Sequence, residues 1–138
     1  MHFYIGQLLR VHREPSKKYR LSTHAYWYRL QHSPDLNAQA AIRWEYEREL
    51  PPGKHHCRHH LQQSAKLDLG NGSLNLNKVH VPTGWVTIEE VIRFLIVELG
   101  TKPPCGDVWS DVLATSERAF FEDFTSRRYS PPPGGTRA

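Results

Sequence analysis

The chain of 138 residues is 38% hydrophobic and 23% charged, and it carries a net charge of +4 with its nine histidines neutral. One domain, with a core that needs no covalent staples, is the expectation for that length. Its two cysteines, Cys57 and Cys105, exclude a disulfide framework, and no apolar run approaches the ~20 residues of a membrane-spanning helix.

Residues 1–14 read as a short apolar strand or arm through Phe3, Ile5, Leu8, Leu9 and Val11, broken by Glu14-Pro15-Ser16-Lys17-Lys18. Tyr19 to Gln31 is rich in aromatic and β-branched residues and reads as a strand. Turn chemistry follows at Ser33-Pro34-Asp35-Leu36-Asn37. From Ala40 to Leu50 the pattern alternates. Ile42, Trp44, Tyr46 and Leu50 face one way, while Arg43, Glu45, Glu47 and Glu49 face the other. That is the period of a half-buried strand, paired with its predecessor as a hairpin. Pro51-Pro52-Gly53 stops it. Further along, Leu67 and Leu69, a Gly70-Asn71-Gly72 turn, then Leu74, Leu76, Val79 and Val81 predict a second hairpin. Thr87 and Glu90 form a capping box before a helical apolar stripe of Ile88, Val91, Ile92, Leu95, Ile96 and Leu99, and Gly100 stops it. A second helix is expected from Asp107 or Ser110 to Phe124, carrying Trp109, Val112, Leu113 and Phe120.

Between the two hairpins lies the densest chemistry of the chain, Lys54-His55-His56-Cys57-Arg58-His59-His60. Imidazole exchanges protons near neutral pH and is the commonest metal ligand. As an acid–base site, His55 or His56 is the candidate base and His59 or His60 the candidate acid for cleaving a phosphodiester through a ribose hydroxyl. Lys54 and Arg58 are the candidate phosphate grips. Tyr26, Tyr28, Trp44 and Tyr46 are available to stack on bases where they face outward. As a metal site, a strand places His55, Cys57 and His59 on one face, with the donor types zinc accepts, and His80, His24 or Cys105 as a fourth ligand. A helix would instead pair His55 with His59 and His56 with His60. The remaining reading is a solvated polar loop. Glu45, Glu47 and Glu49 read as a solvated strand face, and Trp44 and Tyr46 as core.

The order of parts resembles the TumE-like toxin family of bacterial toxin–antitoxin systems over about residues 23–99. The resemblance is carried by His24-Ala-Tyr-Trp-Tyr-Arg-Leu, Ile42-Arg-Trp-Glu-Tyr, the histidine block, Val79-His-Val and the Thr87-Ile-Glu-Glu-Val-Ile helix start. The segment Gln62–Asn77 and the second helix lie outside it. It implies a cytoplasmic growth inhibitor with a protein antitoxin and an RNA target, and it maps onto His55, His56, His59 and His60.

The expected fold is α+β: a single antiparallel sheet of about four strands with two C-terminal helices packed on one face. One domain is expected over 1–125, with a disordered Pro/Gly-rich tail over 126–138. The expected function is that of a small basic cytoplasmic protein acting on RNA, a metal-independent ribonuclease of the toxin type with no cofactor. Its rival is a non-enzymatic binding module, zinc-stabilised or dimeric through helix 87–99. No membrane association is expected.

Overall fold

The computed structural model describes residues 1–15 and 18–126, with side chains as far as Glu122. The chain divides into two compact units, Met1–Val86 and Thr87–Ala138. The first contains seven strands: β1 (His2–Arg13), β2 (Tyr19–Gln31), β3 (Ala40–Glu47), β4 (His59–Gln63), β5 (Lys66–Asp68), β6 (Ser73–Asn75) and β7 (Val81–Pro82). The main sheet is antiparallel throughout, in the order β1-β2-β3-β4-β7.

The fold is α+β, with five strands in the main sheet rather than four. Residues 2–13 form a full edge strand along β2 instead of an arm. The second hairpin does form around Asn71-Gly72, but as a separate two-stranded sheet. All six of its strand residues are exposed, so its leucines have no sheet face to enter. The place beside β4 is taken by Val81 and Pro82, opposite Leu61 and His60.

The core lies on one face of the main sheet, where aromatic pairs meet across strands: Tyr26 opposite Tyr46, Tyr28 opposite Trp44, and Leu30 opposite Ile42. All except Ile42 are buried. Close cross-strand aromatic pairs are a main source of sheet stability. Trp85 adds a fifth ring, against Tyr26 and Tyr46, and the Val86 amide donates to the Tyr26 hydroxyl at 3.1 Å. At Gly6 the Trp27 indole crosses so close that a Cβ would lie 2.0 Å from it. A residue with a side chain there displaces the ring.

β2 is longer than its partner β3, whose pairing begins at Ala25. Leu9–Arg13 and Tyr19–Thr23 therefore continue as a two-stranded ribbon, closed by Glu14 donating its amide to the Lys18 carbonyl.

The second unit holds α1 (Ile88–Val97) and α2 (Trp109–Ser126). The capping box is present: the Thr87 hydroxyl accepts from the Glu90 amide, and the Glu90 carboxylate accepts from the Thr87 amide. Among the described residues of this unit, Val91, Leu95 and Leu113 are the buried apolar ones. Polar contacts also join the helices: Ser116 donates to the buried Glu89 carboxylate, and Glu117 receives both the Thr87 hydroxyl and the Arg93 guanidinium. The expected tail from 126 onward lies outside the described residues, apart from Ser126 at the end of α2.

Candidate metal centre

The histidine block is neither a helix nor one strand. His55 to Arg58 form a loop, and β4 begins at His59. Strand alternation then separates two neighbours. His59 faces Tyr46 across the ladder and joins the aromatic face, stacked on Tyr46 at 4.3 Å between ring centroids. His60 faces Glu45 across the ladder and lies on the opposite, polar face. The two imidazoles cannot share a substrate.

The polar face is built by register. Glu45 pairs with His60 and Arg43 with Gln62 on β3 and β4. The pairing of β7 with β4 draws the preceding residue, His80, alongside Gln62. The His80 Nε2 lies 3.3 Å from the Gln62 amide nitrogen. The loop then folds His56 back over this ladder. His56 stacks flat on His80, with centroids 4.4 Å apart and planes 5° apart, and both meet His60 edge-on. One ring nitrogen from each of His56, His60 and His80 lies within 4.8 Å of the other two.

The Cys57 carbonyl accepts from the Nδ1 of both His56 and His60 at 3.0 Å. A carbonyl can only accept, so both rings carry their proton on Nδ1 and leave Nε2 as the remaining donor atom of each. Metal-ligating histidines are commonly held in this way. The Nε2 of His60 lies 3.2 Å from Glu45 Oε2. Two lone-pair atoms at that spacing need a cation between them, either a proton or a metal ion. Zn–N bonds of about 2.0–2.1 Å place neighbouring tetrahedral ligand atoms about 3.4 Å apart. The Glu45–His60 pair already has that spacing, and the three rings need to close by about an ångström to reach it.

Charge is balanced within the face. The hydrogen bond from His60, then the Arg43 guanidinium, hold the Glu45 carboxyl below its ordinary value. Arg43 reaches Glu45 at 3.7 Å and also donates to the Gln62 side chain. Burial, then the neighbouring His60 and His56, hold His80 below its ordinary value, which favours its neutral form. His60 is 2% exposed, and His56 and His80 are half-buried, so the centre opens through those two rings.

The other sequence-predicted residues fall elsewhere. His55 is exposed in the loop, with no partner in this cluster, and Lys54 is exposed beside it. Cys57 contributes its carbonyl, while its thiol approaches the His80 carbonyl at 3.7 Å. Thus the trio His55, Cys57 and His59 does not assemble. Arg58 is half-buried, and its charge acts on His59, whose pKa is lowered first by burial and then by Arg58. Tyr26, Tyr28, Trp44 and Tyr46 are buried, so none offers an open face for stacking bases. Glu45 is not a solvated acid but the partner of His60. Two sequence signals point to this centre: alternation in β3 puts Glu45 opposite the core, and alternation in Val79-His80-Val81 turns His80 away from the valines. Which nitrogens meet follows only from strand pairing.

Set against protein-family models, curated proteins and solved structures, the chain matches none.

Proposed function

We propose that the protein binds one divalent transition-metal ion, zinc by the chemistry of its donors, through His56, His60 and His80, and that the ion serves hydrolytic chemistry. The observation carrying this reading is the convergence of three imidazole nitrogens within 4.8 Å, two of them from rings tied by Nδ1 to one carbonyl. Three neutral ligands would leave the full charge of such an ion to polarise water, which is the ligand count of catalytic rather than structural zinc. Glu45, held below its ordinary value beside His60, would take the proton of that water or occupy the fourth position.

Untagged protein purified without chelator should contain about one zinc per chain. His56→Ala and His80→Ala should each lower zinc affinity by about 10- to 100-fold or more, whereas His55→Ala, Cys57→Ser and His59→Ala leave it within about twofold. Zinc-free protein that also fails to take up zinc, cobalt or nickel in titration counts decisively against the reading.

A second reading keeps RNA as the target without a metal. It is supported by the neutral His80 beside His56 at the open side of the cluster, by the basic net charge, and by the toxin-like order of parts. In it, His80 and His56 form the acid–base pair, because His60 is too buried to reach a phosphodiester. RNA cleavage that needs zinc and stops in EDTA favours the metal reading. Cleavage that persists in EDTA and is lost in His80→Ala favours the imidazole pair.

A further inference from the structure

The two faces of the ribbon formed by Leu9–Arg13 and Tyr19–Thr23 differ in chemistry. Residues opposite each other in an antiparallel pair project to the same side. Val11 pairs with Leu21, Leu9 with Thr23, and Arg13 with Tyr19, so one side is a largely apolar stripe. It is open to water: Tyr19 is 71% exposed, Val11 61% and Leu9 45%. An exposed apolar stripe of this extent marks a contact surface. On the other side, Arg10 pairs with Ser22 and His12 with Arg20. That side is basic. Its acids are engaged in exposed pairs, Arg10 with Glu49 at 3.3 Å and Arg20 with Glu14 at 3.6 Å. Such pairs contribute little and exchange readily.

β1 is also the outer strand of the sheet order, so its far edge presents backbone donors and acceptors that can accept another strand. A strand laid there places alternate side chains over the two faces. Those above Leu9 and Val11 meet apolar surface, and those on the other side meet the positive charge of Arg10 and Arg20. We propose that β1 takes an added strand from a partner polypeptide in which apolar and acidic residues alternate. A second copy of this chain offers backbone and apolar surface, but it brings Arg10, Arg13 and Arg20 against their own kind. A nucleic acid matches the charge and leaves the stripe and the backbone edge uncovered. The alternating acidic strand satisfies all three features.

The test is fluorescence anisotropy on the whole chain in EDTA, which separates it from the metal centre. The probe is a short labelled peptide alternating Glu and Val. The expected result is saturable binding that weakens about tenfold between about 0.05 M and about 0.5 M NaCl. The double variant Arg10→Glu, Arg20→Glu should lose binding about tenfold or more, and should instead take a peptide alternating Lys and Val. Val11→Asn should weaken binding while keeping the salt response. Absence of binding overturns the proposal. So does equal binding of a peptide with the same composition in separate Glu and Val blocks, which reports attraction to charge alone. Sedimentation showing a dimer that excludes the peptide assigns the edge to a second copy and also overturns it. Should the double variant fail to fold, the wild-type salt response and block-peptide comparison decide.

Discussion

His59 and His60 are neighbours in sequence and sit in different chemical worlds. On the aromatic face, His59 packs among Tyr26, Tyr46 and Trp85, and among the described residues its side-chain polar contact is a 3.5 Å approach to the Tyr26 hydroxyl. On the polar face, His60 has both ring nitrogens engaged, by the Cys57 carbonyl and the Glu45 carboxylate. The first face gains stability from stacking and burial of ring surface. The second retains the His60 imidazole in a buried place by satisfying both its ring nitrogens. One ring is therefore a packing element, and the other is a member of a site.

That contrast can be broken most severely at the aromatic face. Tyr46→Ala removes a buried ring in contact with Tyr26, His59 and Trp85, and should cost about 3–5 kcal/mol in urea unfolding. A loss below about 1 kcal/mol would mean that the stack is not the core. On the polar face the largest effect should come from metal. Zinc at about a hundred times its dissociation constant should stabilise the wild type by about 2.7 kcal/mol. The same addition should leave His80→Ala unmoved, and a thermal shift shared by both proteins would place the ion elsewhere.

Without metal, His60→Ala should cost about 1–3 kcal/mol, because the Cys57 carbonyl and Glu45 each lose a donor in a buried setting. His59→Phe should preserve stability near neutral pH, since it keeps the stacking and drops only a weak polar contact.

Acid sharpens the comparison further. His59 and His80 both titrate below the ordinary 6.5, so the unfolded chain binds those protons first. Stability is then complete above about pH 6.5 and falls as pH drops through the window beneath it. Glu45, held below its ordinary 4.5, continues the loss in more acidic solution. Urea midpoints measured from about pH 7.5 down to about 5 should show the decline, and His59→Phe should flatten part of it. A level profile would remove both histidines from the account. The smallest effect belongs to His55→Ala, expected within about 0.5 kcal/mol, as for an exposed side chain away from any network.

Local patterns in the chain specified much of the body. Alternation over 40–50 assigned Trp44 and Tyr46 to the core, and Thr87 with Glu90 announced the start of α1, both as found, though the strand itself ends at Glu47. Asn71-Gly72 announced a turn but not which sheet its strands would join. The histidine block was legible as chemistry and illegible as geometry. Its six residues pass from loop to strand partway through, so neither a helical nor a strand template describes the whole run.

By itself, then, the sequence determined period, turn and cap, because those depend on residues a few positions apart. It also carried the excess of imidazoles and the positive charge. Tertiary structure decided which imidazoles meet. The register of β3 with β4 brings Glu45 to His60, and the docking of β7 carries His80 in from twenty residues away. Contacts of that kind depend on which backbone edges pair, and a strand shifted by one residue would exchange His59 for His60 on the polar face.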